Sequence, residues 1–121
     1  MKPLLLIFAV IWMASCNSKP MDQANFIVKT TVPIKAGQVD RVLDLFKATN
    51  PELVKDQDDW VKAVFSVHEE TNEVQVLAYW KDKDSYLYFS SSEKFLSTMS
   101  QFRPHFAGQP VIKINRILYE M

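Results

Sequence analysis

The sequence is poor in the residues that build several common kinds of functional site. It has one cysteine and two glycines among 121 residues, so it can form neither an internal disulfide nor a glycine-rich loop of the kind that cradles phosphate groups. Its 14 basic and 14 acidic residues cancel, and the basic residues are scattered along the chain. Nucleic-acid binding needs a clustered surplus of Lys and Arg to displace phosphate counterions, so nucleic acid is excluded as a partner.

Apolar runs long enough to cross a bilayer are also missing. The run Leu4–Trp12 has nine residues, about half of the ~18–20 that a spanning helix needs. It follows Lys2 and precedes small residues at Ala14 and Ser15, an order that is typical of a secretory signal peptide. The sequence therefore predicts a cleavable signal peptide over residues 1–15.

The single cysteine comes directly after this segment. Met13-Ala-Ser-Cys16 resembles a lipobox, the motif at which a thiol is acylated, with palmitate for example, before cleavage. An ordinary secretory peptide with an unrelated cysteine and a short N-terminal anchor helix are the alternatives. We expect Cys16 to carry lipid, residues 16–25 to form a polar tether, and the protein to be held at a membrane of the cell envelope. In a Gram-negative source this membrane would be the outer one, with the domain facing the periplasm.

Residues 26–121 show the pattern of one small α+β domain. Runs of β-branched and apolar residues predict strands at 26–33, 60–68, 74–80 and 111–119. Helical spacing predicts a helix from Val39 to near Asn50-Pro51, where proline should end it. A second helical region, 82–106, has two parts, and the second part should begin at the capping-box sequence 90–93. The order β-α-β-β-α-β is the ferredoxin-like arrangement, an antiparallel sheet with helices on one face.

The third and last strands carry apolar residues at both odd and even positions. In the third strand Trp80 alternates with Tyr79, and in the last strand Ile114 and Leu118 alternate with Val111 and Ile117. Successive side chains of a strand point to opposite faces of the sheet, so helices on one face leave a second apolar face uncovered. We expect the sheet of a second subunit to cover it in a homodimer, with an outward-pointing Ile114 or Leu118 at the interface.

Two stretches of the sequence resemble the antibiotic-biosynthesis monooxygenase family of dimeric α+β barrels. They are residues 32–37, before the first helix, and residues 76–86, which run from the third strand into the second helix; residues 91–95 follow with the family's small-polar stretch and its terminal aromatic. The resemblance extends from about Phe26 to the C-terminus. It implies a cavity between sheet and helices that holds a small hydrophobic or aromatic molecule. It also implies an enzyme without metal or flavin, because an electron-rich phenol or quinol passes its own electrons to dioxygen once deprotonated.

Such chemistry requires a base near the acidic hydroxyl and donors for the anion that forms. His68 is the candidate base, since imidazole titrates near neutrality and family members often carry a histidine at about that place; the alternative is a solvent-facing histidine at a strand end. Trp80 is the candidate catalytic donor and cavity wall. The other predicted lining residues are Phe89, Phe95, Met99 and His105.

No metal or haem site is predicted. Residues 68–70, His-Glu-Glu, span a strand end and a turn, where neighbouring side chains diverge and cannot chelate together. One branch of the superfamily degrades haem with an Asn–Trp–His set; Trp80 matches its Trp, whereas Thr30 and Met99 stand near the other two places. The expected function is therefore a cofactor-independent monooxygenase of small aromatic compounds or, alternatively, a non-catalytic module that binds a small ligand.

Overall fold

The computed structural model describes residues 23–121. The predicted signal peptide, the predicted lipidation site Cys16 and most of the predicted tether lie outside the described residues. The elements are β1 (Phe26–Pro33), α1 (Val39–Val54), β2 (Trp60–His68), β3 (Glu73–Trp80), α2 (Lys83–Ser90), α3 (Glu93–Ser100) and β4 (Val111–Arg116), with a 3₁₀ turn at Arg103–His105. The predicted α+β class and β-α-β-β-α-β order are confirmed.

The four strands form one antiparallel sheet in the order β2-β3-β1-β4. β2 and β3 are joined by a tight turn in which Asn72 takes a left-handed φ of 56°, a conformation that Asn tolerates well, so the predicted turn at Thr71-Asn72 is confirmed. β2 and β4 are the edges, and the sheet does not close into a barrel within one chain. Among residues 23–121, no helix has the length and apolar character to cross a membrane.

The strand register divides the sheet into a helix-covered face and an open face. Val28 of β1 lies opposite Ala78 of β3 and Ile114 of β4, and these three residues belong to the cluster packed under the helices. Ile114 therefore does not point outward, and Leu118 lies beyond β4, which ends at Arg116 rather than at Tyr119. The open face carries Ile27, Lys29, Val64, Leu77, Tyr79, Val111 and Lys113.

Helix α1 continues through Pro51 and ends at Val54, so the predicted end near Asn50-Pro51 is wrong by about one turn. Proline removes one backbone hydrogen bond and costs about 3 kcal/mol in a helix interior. Burial of Leu53, which is 5 % exposed, stabilises the fold by about 1.5–3 kcal/mol. Lys94 Nζ of α3 also donates a hydrogen bond to the carbonyl of Glu52 (2.9 Å). The last turn is held by tertiary contacts that sequence periodicity does not reveal.

The start of α3 also differs from the prediction. Its N-cap is Ser92, whose Oγ accepts a hydrogen bond from the Phe95 backbone N–H (3.2 Å). Ser90 is instead the last residue of α2, and its hydroxyl donates to the Leu87 carbonyl. Three consecutive serines offered three possible caps, and packing chose the one that lets Phe95 meet the ring of Phe89, with the ring centroids 5.1 Å apart.

The core consists of two clusters on the helix-covered face. The first contains Val28, Leu53, Trp80, Tyr86 and Phe89. The second contains Val32, Ile34, Val42, Val74 and Phe102. They occupy opposite ends of the sheet, because Val74 and Trp80 lie near opposite ends of β3.

Candidate functional site

A cavity of about 1510 Å³ lies between the helix-covered face of the sheet and the helices. This volume exceeds the roughly 300–1,000 Å³ of common small-ligand sites. Four of the predicted lining residues, Trp80, Phe89, Phe95 and Met99, lie in its wall. Thr30 of β1 also lines it, so the three positions compared with the haem-degrading set share one cavity. The structure brings these side chains together, while their binding of a ligand stays a prediction.

Trp80 ends β3 and is 1 % exposed. Its ring meets Tyr86 edge-on with centroids 5.7 Å apart, and it lies 5.1 Å from the ring of Phe89. Within residues 23–121, its indole Nε1 is the one buried side-chain polar atom that has no hydrogen-bond partner. Buried donors in proteins are nearly always paired, and an unpaired one costs about 1–3 kcal/mol. This donor is therefore an exception that needs a physical explanation.

A bulge in β2 brings a second tryptophan to the same end of the cavity. Trp60 pairs with Trp80, whereas Lys62 pairs with Tyr79, so Val61 is an extra residue in the ladder. The extra residue shifts the alternation of the strand. Trp60 consequently packs against the cluster around Trp80 and lines the cavity, although simple alternation from Ala63 would point it to the open face.

Tyr86 is a lining residue that sequence reasoning missed. It lies in the first turns of α2, is 7 % exposed and belongs to the cavity wall. Burial raises the pKa of its phenol, and a hydrogen bond with Ser90 opposes this only in part. The hydroxyl therefore stays protonated at neutral pH and can donate. The signal was available, because Tyr86 stands three residues before Phe89 and so shares its helix face.

Neither histidine lies in the wall of this cavity. His68 is exposed on β2 opposite Glu73, and its Nδ1 is 3.2 Å from Thr71 Oγ1. It lines a separate shallow cleft of about 320 Å³. Glu73 and Trp80 mark the two ends of β3, seven residues or about 23 Å apart. The structure thus does not bring the predicted base and the predicted donor together.

His105 has a different neighbour. Its Nδ1 lies 2.9 Å from Gln38 Oε1, so it ties the 3₁₀ turn to the start of α1. The structure therefore does not place His105 in the cavity wall where the sequence analysis predicted it. In residues 23–121, no three His, Cys, Asp or Glu side chains converge to hold a metal ion.

The ionisable groups of the lining are Tyr86 and four cations. The cations are Lys47 of α1, Lys55 directly after α1, Lys62 of β2 and Arg103 of the 3₁₀ turn. The ammonium group of Lys62 itself lies over the Tyr79 ring of the open face. Within the described part of the chain, no Asp, Glu or His contributes to the lining. The site combines an apolar wall, which includes Trp80 and Tyr86, with positive charge. This arrangement can bind and stabilise an anion, and it offers no carboxylate or imidazole as a base.

Comparison with known proteins identifies the relatives of this fold. A solved structure of a conserved protein from Methanosarcina mazei Go1 is similar over 79 % of this chain and 95 % of its own, with a TM-score of 0.68 and 18 % identity. The structure of an antibiotic biosynthesis monooxygenase is similar over 78 % of this chain and 99 % of its own, with a TM-score of 0.65 and 15 % identity.

A Caulobacter crescentus CB15 protein whose name carries the same monooxygenase designation is similar over 85 % of this chain and 98 % of its own. Its TM-score is 0.70 at 14 % identity, and similarity at this level of identity shows a shared fold. No curated protein matches the chain. The family model described as antibiotic biosynthesis monooxygenase matches residues 25–101, from β1 to the end of α3, and the chain therefore belongs to the antibiotic biosynthesis monooxygenase family.

Proposed function

We propose that the chain binds a small aromatic hydroxyl compound of the phenol or quinol class in this cavity and oxidises it with dioxygen, without metal or flavin. The observation that carries the proposal is the buried, unpaired indole N–H of Trp80, a residue of the cavity wall. An oxygen atom of a bound ligand would accept this hydrogen bond and remove the cost of the buried donor, after a small shift of the rings that cover it. Family membership supports monooxygenase as the reaction class.

The proposed reaction balances without a separate reductant. A quinol that takes up one dioxygen gives one hydroxyquinone and one water, because one oxygen atom enters the ring and the other leaves as water. The four electrons come from the substrate. The task of the protein is to bind the electron-rich anion, orient it and exclude water, which are effects of positioning and electrostatic stabilisation.

The donors in the wall suit an anionic substrate. Trp80 and Tyr86 both belong to the first core cluster, and the phenol of Tyr86, whose pKa is raised by burial above its ordinary value of 10.0, is protonated at neutral pH. Because no His, Asp or Glu of residues 23–121 lines the cavity, we propose that the substrate proton is lost to solvent while these donors stabilise the anion. His68 then has no part in proton removal.

Oxygen uptake tests this proposal. A panel of quinols is offered to the full-length chain after treatment with a chelator and removal of flavin, with uptake in buffer alone as the background. We expect consumption of one dioxygen per quinol and one ¹⁸O atom from labelled dioxygen in the product. His68→Ala should retain this turnover. Uptake no faster than the background across the panel would refute the monooxygenase proposal.

A non-catalytic ligand-binding module is the second candidate function. The observation that favours it is the absence of a carboxylate or imidazole from the lining within the described residues, because a base is a usual requirement for deprotonation. Quinones quench the fluorescence of a neighbouring indole, so binding can be measured without turnover. Quenching that depends on Trp80, together with no oxygen uptake, would identify the binding module.

We also propose that the chain forms a homodimer through the open face of the sheet. This face combines apolar side chains with lysines, and Val64 on it is 46 % exposed. An apolar face of this kind is a common feature of subunit interfaces. A second copy of the same sheet would cover it and would complete the barrel that one chain leaves open.

Finally, we propose that Cys16 anchors the domain to a membrane of the cell envelope. Asn25, the last residue of the proposed tether, contacts the sheet, because its backbone N–H donates to the Trp80 carbonyl (2.9 Å). Asn25 is nine positions after Cys16, a reach of at most about 30 Å. Cys16→Ala should move the protein out of the membrane fraction or leave it unprocessed, whereas Ser18→Ala should not. Unchanged processing and retention of Cys16→Ala would exclude the anchor.

A further inference from the structure

The charges around the cavity are of one sign. Residues 23–121 contain 12 basic residues, the 14 of the chain less Lys2 and Lys19, and 13 acidic residues, the 14 of the chain less Asp22. Four of the 12 basic residues line the cavity, and none of the 13 acidic residues does. Residues 23–121 contain nearly equal numbers of acidic and basic residues. If charge had no influence on which residues line the cavity, acidic residues would therefore be about as frequent in the lining as basic ones.

Two of the four cations have other partners. Lys55 Nζ lies 2.6 Å from Glu52 Oε1. Lys62 Nζ lies 4.8 Å from the centre of the Tyr79 ring, on the open face of the sheet, so its charge does not face the cavity. Lys47 and Arg103 differ, because no carboxylate of the described residues lies within ion-pair distance of either. The positive charge of these two side chains is therefore available to a ligand.

Lys47 and Arg103 are attached to parts of the backbone that lie close together in space. Each directly follows a phenylalanine, and the rings of Phe46 and Phe102 are in contact with their centroids 4.8 Å apart. Both cationic residues are exposed overall while part of each lines the cavity. Long basic side chains commonly lay their apolar stems along a wall and keep their charged ends in water, which puts these two charges where the cavity meets solvent.

We infer that the cavity selects amphipathic organic anions, compounds with an apolar body and a carboxylate or similar group that is ionised at neutral pH. The apolar body packs against Trp80, Phe89 and Phe95, and the anionic group lies beside Lys47 and Arg103. This inference rests on the proposed function of the cavity and narrows its substrate class: a quinol substrate would carry an acidic substituent. A neutral ligand of the same shape would pack against the same apolar wall but would leave Lys47 and Arg103 without an ionic partner.

A matched pair of dyes tests the selection directly on the full-length chain. 1-Anilinonaphthalene-8-sulfonate and N-phenyl-1-naphthylamine share one aromatic body and differ in the sulfonate. Their affinities are measured by fluorescence titration in low-salt and high-salt buffer. We expect the anionic dye to bind more tightly at low salt and to lose affinity as salt screens the cations, whereas the affinity of the neutral dye should be insensitive to salt.

Charge variants then locate the effect. Lys47→Gln and Arg103→Gln should each weaken the anionic dye by about threefold, in the range of exposed charge pairs, and leave the neutral dye unchanged. Lys35→Gln and Arg41→Gln are the matched controls, since both residues are exposed and lie outside the lining. Neither control should change the binding of either dye.

A second pair of variants adds a negative charge without a change of size. Asn50 lines the cavity, and Asn115 lies on the open face opposite Ile27. Asn50→Asp should weaken the anionic dye selectively, and Asn115→Asp should not. The reverse result would place the dye on the open face and overturn the inference.

The outcomes separate this inference from the proposed function. Binding of both dyes with equal affinity, unaffected by Lys47→Gln and Arg103→Gln, would leave the cavity as a ligand site and refute its preference for anions. Failure of both dyes to bind would refute the cavity itself as a ligand site, and the preference with it. Selective loss of the anionic dye in the two lining variants and in Asn50→Asp is the result we expect.

Discussion

The two faces of the sheet are both partly apolar, yet they differ in what covers them. On the helix-covered face Val28 is 2 % exposed, and the helices enclose a cavity above the strands. On the open face no element of residues 23–121 packs over the strands, and Lys29 lies directly opposite Lys113. Like charges opposite each other on strands are unfavourable, and exposure to water keeps that cost small. The helix-covered face is therefore the proposed ligand site, and the open face is the proposed dimer interface.

Because helices cover only one face of the sheet, neighbouring residues of β1 should respond differently to the same substitution. Val28→Asp would bury an unpaired carboxylate in the first core cluster, and we expect it to cost more than about 4 kcal/mol and to prevent folding. Ile27→Asp, one residue earlier on the open face, should leave the fold intact. Circular dichroism and urea unfolding measure both. Equal destabilisation by the two substitutions would contradict the assignment of the faces.

The open face should decide the oligomeric state. Leu77 lies at its centre, opposite Lys29 on one side and Val64 on the other. Leu77→Asp should convert the proposed dimer to a folded monomer at micromolar concentration, since it places a charge in an apolar interface. Sedimentation velocity measures this. Leu87→Asp, an exposed position in α2, is the matched control and should remain dimeric. A wild-type chain that sediments as a monomer would disprove the interface.

On the helix-covered face, Trp80→Phe should affect activity more than stability. The substitution removes the unpaired buried donor, which stabilises the fold, and also part of the packed ring, which destabilises it. Because the two effects offset, the free energy of unfolding should change by about 1 kcal/mol or less. Turnover should fall by about 10²-fold if the N–H stabilises the developing anion. Trp60→Phe makes the same chemical change in the same cavity and should keep most of the turnover. Steady-state kinetics and urea unfolding of both variants provide the test.

The smallest expected effect concerns alkaline pH. Burial raises the pKa of Tyr86 above its ordinary value of 10.0, so above about pH 10 the unfolded chain loses this proton while the folded chain keeps it. Stability from this group is complete below pH 10 and declines as pH rises toward the folded pKa, at no more than about 1.4 kcal/mol per pH unit. Tyr86→Phe should abolish this part of the decline, and Tyr88→Phe, at an exposed position, should not. Urea unfolding at pH 9 to 11 measures the difference.

Sequence reasoning succeeded where the pattern is local. Runs of β-branched and apolar residues identified the four strands, and the helical spacing of Phe95 and Met99 correctly put both residues on the side of α3 that lines the cavity. Sequence reasoning failed where contacts between distant segments decide where a helix begins or ends. Lys94 and the burial of Leu53 carry α1 past Pro51, and packing selects Ser92 among three serines as the cap of α3.

In the candidate site, too, sequence reasoning located individual residues but not the contacts between them. The position of Trp80 at the end of β3 follows from the apolar run of residues 74–80 and from the family resemblance, and both can be read from sequence. The absence of its hydrogen-bond partner can be seen only in three dimensions. The bulge that turns Trp60 toward the cavity leaves no mark in the alternation of apolar residues. His68 illustrates the converse, because its residue type suggested a base and the length of the hairpin keeps it about 23 Å from Trp80.

The sequence by itself determined the order of the elements, the two apolar faces of the strands and the family, since these depend on residue type and on spacing along one element. Only the tertiary structure decided which residues share the cavity, which cations are free, and which face each apolar residue of β4 serves. The physical reason is that strand register and the crossing of helices over the sheet are set by packing between segments far apart in the chain. The lining of the cavity is a property of those contacts, so no single segment encodes it.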